Sequence, residues 1–258
     1  MKMNELFRHT FKQLVTPKEY KPLTTVAYDS DLCREVLDKG WLSEPQMRHA
    51  AERYYLGKSR SGKCIYWMID DLGYVRDGHL GDAWASQFLK AREPKLLSHW
   101  HPSHCLFGLH LLTENNFKGH TDITESTEIF NYLTAQPVPK ALSVFSVISV
   151  CNQKTVCVVE TERSAVILSE VLPEFLWMAY ATTSHLTPDL FAPLAGHTVI
   201  IYPRTDPTGS TYLFFLDLAD QVRRLYDINL TVDSTLEDHA TNEQKDRCID
   251  LVDFIFPP

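Results

Sequence analysis

Two short apolar runs constrain this chain more than any other feature. Thr155-Val156-Cys157-Val158-Val159 ends abruptly in Glu160, and Thr198-Val199-Ile200-Ile201-Tyr202 ends in Pro203-Arg204-Thr205-Asp206-Pro207-Thr208-Gly209. Continuous β-branched runs of about five residues are the mark of strands buried on both faces of a parallel sheet. Such strands need crossover connections, and Glu162-Arg163-Ser164-Ala165-Val166-Ile167-Leu168 reads as a helix that begins one. In open α/β sheets the ligand crevice lies beyond the carboxyl ends of the strands. Each run delivers a carboxylate there, Glu160 from the first and Asp206 from the second, which makes them the central candidate residues.

The stretches Val159 to Ala165, Leu172 to Ala179 and Val199 to Gly209 resemble the toprim-like domains of primase-related proteins carried by bacterial mobile elements. That family shows a Val-Glu-Ser-Glu-Lys-Thr-Ala type segment, a Gly-Gly turn and an Asp-x-Asp motif after a strand. The similarity extends to Gly62 to His79, Cys105-Leu106-Phe107-Gly108 and Asp250-Leu251-Val252-Asp253. It implies a Mg²⁺ site built from Glu160 and the Asp-x-Asp pair, with Glu160, Glu162 and Asp206 as the catalytic set. Asp250 and Asp253 are further acidic candidates.

The departures from the pattern carry information as well. Arg204 stands where the family has the first Asp of Asp-x-Asp, and Ala181-Thr182 stands where it has Gly-Gly. Mg²⁺ requires carboxylate and water oxygens in near-octahedral order. A guanidinium in place of one carboxylate puts a fixed positive charge where the cation would sit. The expectation is a weakened or lost Mg²⁺ centre, with Glu160 and Asp206 as the remaining ligands and Arg204 pairing with Glu160 or meeting a phosphate.

The rest of the chain reads as an ordinary globular protein. Its 258 residues are 44% apolar and 22% charged, and no run approaches the roughly 18 apolar residues of a spanning helix. The start, Met1 to His9, interrupts its apolar residues with charge too often for a signal peptide, so the expected location is cytoplasmic without a membrane partner. Six scattered cysteines without a C-x-x-C pair read as free, mostly buried thiols. A net charge of −8 argues against a surface that grips nucleic acid all over, while leaving room for a local basic face.

In chain order, helical spacing appears over residues 3–15, from Cys33 to Leu37, and from Ser43 to about Tyr54. Cys64–Ile69 and Gly73–Gly78 flank Asp70-Asp71-Leu72 as an antiparallel hairpin. Arg48, Arg53, Lys58, Arg60 and Lys63 cluster at its entry, among Tyr54, Tyr55, Tyr66 and Trp67. With Arg163 and Arg204 these are the candidate contacts to single-stranded DNA or RNA. The other reading is a solvated helix face and a loop, with the aromatics in the core.

The segment Ser98-His99-Trp100-His101-Pro102-Ser103-His104-Cys105 invites a zinc reading, but its histidines share no helical face and no second ligand pair follows. It reads as a loop into a helix from Cys105 to Leu112. Residues 113–153 look like an insertion in which 141–150 offers an extra strand. After the centre come a helix over 210–225 through Leu213, Phe214, Leu216, Leu218, Ala219 and Val222, a strand over 228–232 and an acidic helical region. Ser184-His185 imitates part of a nucleophile and base pair, although adjacent side chains usually point apart.

The fold expected is α/β: a toprim-like, mostly parallel sheet flanked by helices over 141–258, preceded by an α+β region over 1–140 with a hairpin at about 63–79. The function expected is that of a primase-related protein of a mobile element that binds DNA or RNA. The alternative is a catalytically inactive scaffold on the same fold.

Overall fold

The computed structural model describes residues 26–71, 75–87, 103–112 and 155–257. The expected helix over 3–15, the strand over 141–150, the hairpin turn at Leu72 to Tyr74, and His99 and His101 lie outside the described residues.

Two helices open the described chain, α1 (Asp31–Asp38) and α2 (Glu44–Arg53). Ser30 caps α1 by accepting from the Cys33 N–H. Ser43 and Gln46 form a capping box on α2, with Pro45 in the first turn. Next comes a four-stranded antiparallel sheet in the order β1 (Gly57–Lys58), β2 (Cys64–Ile69), β3 (Val75–Leu80), β4 (Ala83–Trp84). The expected hairpin is its β2–β3 pair, with Tyr66 opposite His79.

The second sheet has the order β6-β5-β7-β8, from β5 (Val156–Val159), β6 (Leu176–Ala179), β7 (Thr198–Ile201) and β8 (Asn229–Val232), all in parallel. The helices α3 (Glu162–Val171) and α4 (Ser210–Leu225) connect β5 to β6 and β7 to β8. The first connection moves to one side and the second to the other, so the strand order reverses between β5 and β7. Three short helices close the chain: α5 (Thr235–His239), α6 (Asn242–Asp246) and α7 (Leu251–Ile255).

A mixed α/β architecture with a helix-flanked parallel sheet and a separate antiparallel hairpin sheet is therefore present. β5 and β7 are buried as their β-branched runs require. β6 is equally buried, yet its Leu-Trp-Met-Ala sequence lacks β-branched residues, and periodicity alone does not mark it as a strand.

One expectation is corrected. Cys105 to Leu112 is not a continuous helix: Phe107 exchanges both backbone hydrogen bonds with Ala179 of β6, at 2.8 and 3.1 Å, and a single turn of 3₁₀ helix covers Leu109–Leu112. Gly108 separates the two at φ +84°, and a Cβ there would meet the Trp177 carbonyl oxygen at 3.0 Å. In α4 the buried face is Phe215, Leu218, Ala219 and Val222, while Leu213, Phe214 and Leu216 are exposed.

The bridge from Phe107 to Ala179 makes one core of both halves. Tyr54 of α2 stacks on Phe107 at 5.0 Å and donates a 2.8 Å hydrogen bond to the Trp177 carbonyl. Tyr54, Phe107 and Trp177 are all fully buried.

Candidate functional site at the ends of the parallel strands

Glu160 follows the last residue of β5, and Arg204 lies three residues beyond β7, so the strand reversal places them at one crevice. Arg204 Nε is 3.2 Å from Glu160 Oε2, with the carboxylate side chain 15% and the guanidinium 47% exposed. Burial pushes the Glu160 carboxyl above its ordinary value; Arg204 opposes this and Asp250 adds to it. The Tyr180 hydroxyl, one residue past β6, is buried without a hydrogen-bond partner beside this group. Ala181 then takes a left-handed backbone (φ +63°) and donates its N–H to the Glu160 carbonyl at 2.9 Å.

Asp206 serves a different purpose. Its Oδ1 accepts from the Thr208 N–H (2.9 Å), the Thr208 hydroxyl (2.5 Å) and both the N–H and hydroxyl of Ser210 (3.2 Å each). Its Oδ2 accepts from the Thr211 N–H at 2.7 Å. The carboxylate thereby satisfies two orphan donors of the first turn of α4, the N–H groups of Ser210 and Thr211. Burial opposes its charge, yet the bonds from Thr208 and Thr211 outweigh that and hold the carboxyl well below the usual range. The signal was available in the sequence, since an Asp two residues before a Thr and four before a Ser is an Asx-turn and cap pattern.

Glu162, in the first turn of α3, is buried and meets His79 Nδ1 of β3 at 2.6 Å. The bond ties the hairpin sheet to the start of α3. Burial pulls the His79 imidazole down, but its hydrogen bond to Glu162 and the surrounding carboxylates raise it overall. Asp250 caps α7 by accepting from the Asp253 N–H at 3.0 Å, and its other oxygen accepts from the Ser164 hydroxyl of α3. Asp253 pairs with Arg163 at 3.6 Å, and Arg163 also lies 3.7 Å from Glu35 and over the Trp41 ring.

The candidate cations at the hairpin entry divide in the same way. Arg48 pairs with Glu44 at 3.2 Å and lies over the Tyr28 ring, and Lys58 pairs with Asp29. Arg53 is half-buried, while Arg60 and Lys63 are exposed. Tyr54 and Trp67 are core residues, so neither offers a face to a base.

Ser184 and His185 have separate partners: the Ser184 hydroxyl is 3.0 Å from the Thr182 hydroxyl, and the His185 ring stacks on His104. The residue-by-residue reading did not anticipate that stack, because His104 and His185 are far apart in sequence. The described cysteines are all free.

These residues do not fit a Mg²⁺ centre. Glu160 faces a guanidinium, the Asp206 oxygens are filled by the start of α4, and both Asp250 oxygens accept hydrogen bonds. Among the described residues, no group of three or more His, Cys, Asp or Glu is arranged to hold a metal ion. Among the described residues, no helix is long and apolar enough to cross a membrane.

A protein-family model described as a domain of unknown function, DUF6371, matches residues 32–135 and 139–205. No curated protein and no solved structure matches the chain. The matched residues include Glu160 and Arg204 and stop just short of Asp206.

Proposed function

We propose, for a chain that belongs to the DUF6371 family, the role of a toprim-like, primase-related module of a mobile element that binds single-stranded nucleic acid without a metal centre. The observation that carries this reading is the Arg204 to Glu160 pair at the reversal of strand order. The guanidinium supplies in permanent form the positive charge that the crevice carboxylate requires. Its Nε lies 3.2 Å from Glu160 Oε2 and the side chain is half exposed, so the guanidinium is accessible to a phosphate from solvent. Glu160 is then a positioning residue for Arg204 rather than a metal ligand.

The test is binding of a single-stranded DNA across salt concentrations, with and without Mg²⁺. Affinity is expected to fall steeply with salt, to be indifferent to Mg²⁺, and to lose about one unit of salt slope in Arg204→Met, since each neutralised phosphate contributes roughly that much. Binding that requires Mg²⁺ overturns the metal-free reading.

The second reading, an interaction scaffold on the same fold, is favoured by the pairing of Arg48, Lys58 and Arg163 with acidic side chains. No binding at low salt leaves that reading standing.

A further inference from the structure

Beside the strand ends lies a run of aromatic rings to which the ion pair gives no role. It begins at Glu162, which holds His79 at 2.6 Å. The His79 ring stacks on Trp84 of β4, with centroids 4.7 Å apart and 28° between the planes. Trp84 meets His104 edge-on at 4.8 Å and His185 edge-on at 6.3 Å. His104 and His185 lie face to face, 3.9 Å apart and 11° from parallel. Four rings from three separate parts of the chain thus form one continuous assembly.

His185 is exposed, and no ring other than His104 and Trp84 lies against it among the described residues. The short 3₁₀ turn Thr183–His185 that carries it is fixed at its start by Thr182, whose hydroxyl accepts from the Ser184 N–H. That turn begins four residues after the end of β6, on the side of the sheet where β5 and β7 also end. Burial and the neighbouring His185 hold the His104 imidazole below its ordinary value, with Asp77 opposing them. His104 is therefore neutral at neutral pH and stacks without charge repulsion.

We infer that the outer face of His185, backed by His104 and Trp84, is a stacking platform for one unpaired nucleobase of a strand whose phosphate meets Arg204. A flat, exposed ring supported from behind is what base stacking requires, and every base has a π-face to offer. Hydrogen-bond readout is not needed, so the preference is for single-stranded over paired nucleic acid rather than for a sequence. The inference rests on the nucleic-acid reading above and adds to it the base.

Equilibrium binding of a fluorescently labelled single-stranded DNA, and of an abasic strand with the same number of phosphates, tests it at one low salt concentration. Wild-type protein is expected to prefer the base-bearing strand by about 5- to 150-fold, the range that one stacked base supplies. His185→Ala is expected to bind both strands alike, at the affinity that wild type has for the abasic one. His185→Tyr restores a ring and with it the preference, and because residue 185 is exposed, neither substitution disturbs the core. Retention of the preference in His185→Ala overturns the platform, as does equal wild-type affinity for both strands; either result leaves the phosphate contact intact. Failure of both strands to bind overturns the platform and the proposed function together.

Discussion

Arg204 and Glu160 face each other at 3.2 Å across the ends of two adjacent parallel strands, joining a half-exposed cation to a carboxylate that is mostly buried. The consequence is a site that is electrostatically closed without a metal. Glu160 titrates above its ordinary value in the folded protein, so the native state binds more protons than the unfolded state there, and stability falls as pH rises through that window. Arg204 limits this loss.

Arg204→Met should therefore destabilise the protein by about 1–3 kcal/mol at neutral pH, the cost of leaving a largely buried charge unpaired. The penalty should shrink on acidification as Glu160 protonates. Adding Glu160→Gln to the variant should recover most of the loss. Denaturant melts of the three proteins at two pH values check this, and a double variant no more stable than the single one removes the ion pair from the explanation.

How much of this was legible in the sequence depends on where each constraint acts. β5 and β7 announce themselves because a strand buried on both faces needs a continuous apolar run, and Glu160 and Arg204 follow by counting to the strand ends. β6 does not, since Leu176 to Ala179 is short and free of β-branched residues, and its place comes from pairing with Val156 to Val159. The helix over 210–225 was legible in extent but not in face, because its outward Leu213, Phe214 and Leu216 are as apolar as its inward residues. The stack of His79, Trp84, His104 and His185 joins residues about a hundred positions apart at its extremes, and no local pattern encodes it.

Ala181 carries backbone strain. It sits at φ +63°, a left-handed conformation that a Cβ disfavours and glycine adopts freely. Ala181→Gly should stabilise the protein by about 0.5–1 kcal/mol, the relief of strain exceeding the added entropy of the unfolded chain. A lower melting temperature in that variant means that the Ala181 side chain contributes packing worth more than the strain.

His79 and Glu162 give the protein a second pH dependence. The folded imidazole titrates above its ordinary value of 6.5, so the stabilisation is fully present below that value and is lost as pH rises through the raised one. Glu162→Gln keeps the shape but removes the charge that holds the proton. It should cost about 1.5–3 kcal/mol at about pH 6, the range for a hydrogen bond to a charged group, and progressively less as pH rises. A deficit independent of pH shows that the two groups are joined as neutral partners.

Asp206 separates a cap from a metal ligand most directly. Five hydrogen bonds from Thr208, Ser210 and Thr211 converge on its two oxygens, and the backbone donors among them belong to the turn that starts α4. Removing such a cap costs about 0.5–2 kcal/mol, whereas Asn caps nearly as well as Asp. Asp206→Ala should therefore lower stability by about 1–2 kcal/mol and Asp206→Asn by much less. Because burial raises the carboxyl but these bonds outweigh it and leave it below its ordinary range, its contribution is present at neutral pH and disappears only as pH falls through the depressed value. The Asn variant, with no charge to lose, should show no such acid loss. A metal ligand behaves in the opposite way: Asn would forfeit a charge that the cation needs, and both variants would abolish a rise in melting temperature on adding Mg²⁺. Wild-type protein is expected to show no such rise, and an Asp206-dependent rise would return this carboxylate to a metal centre.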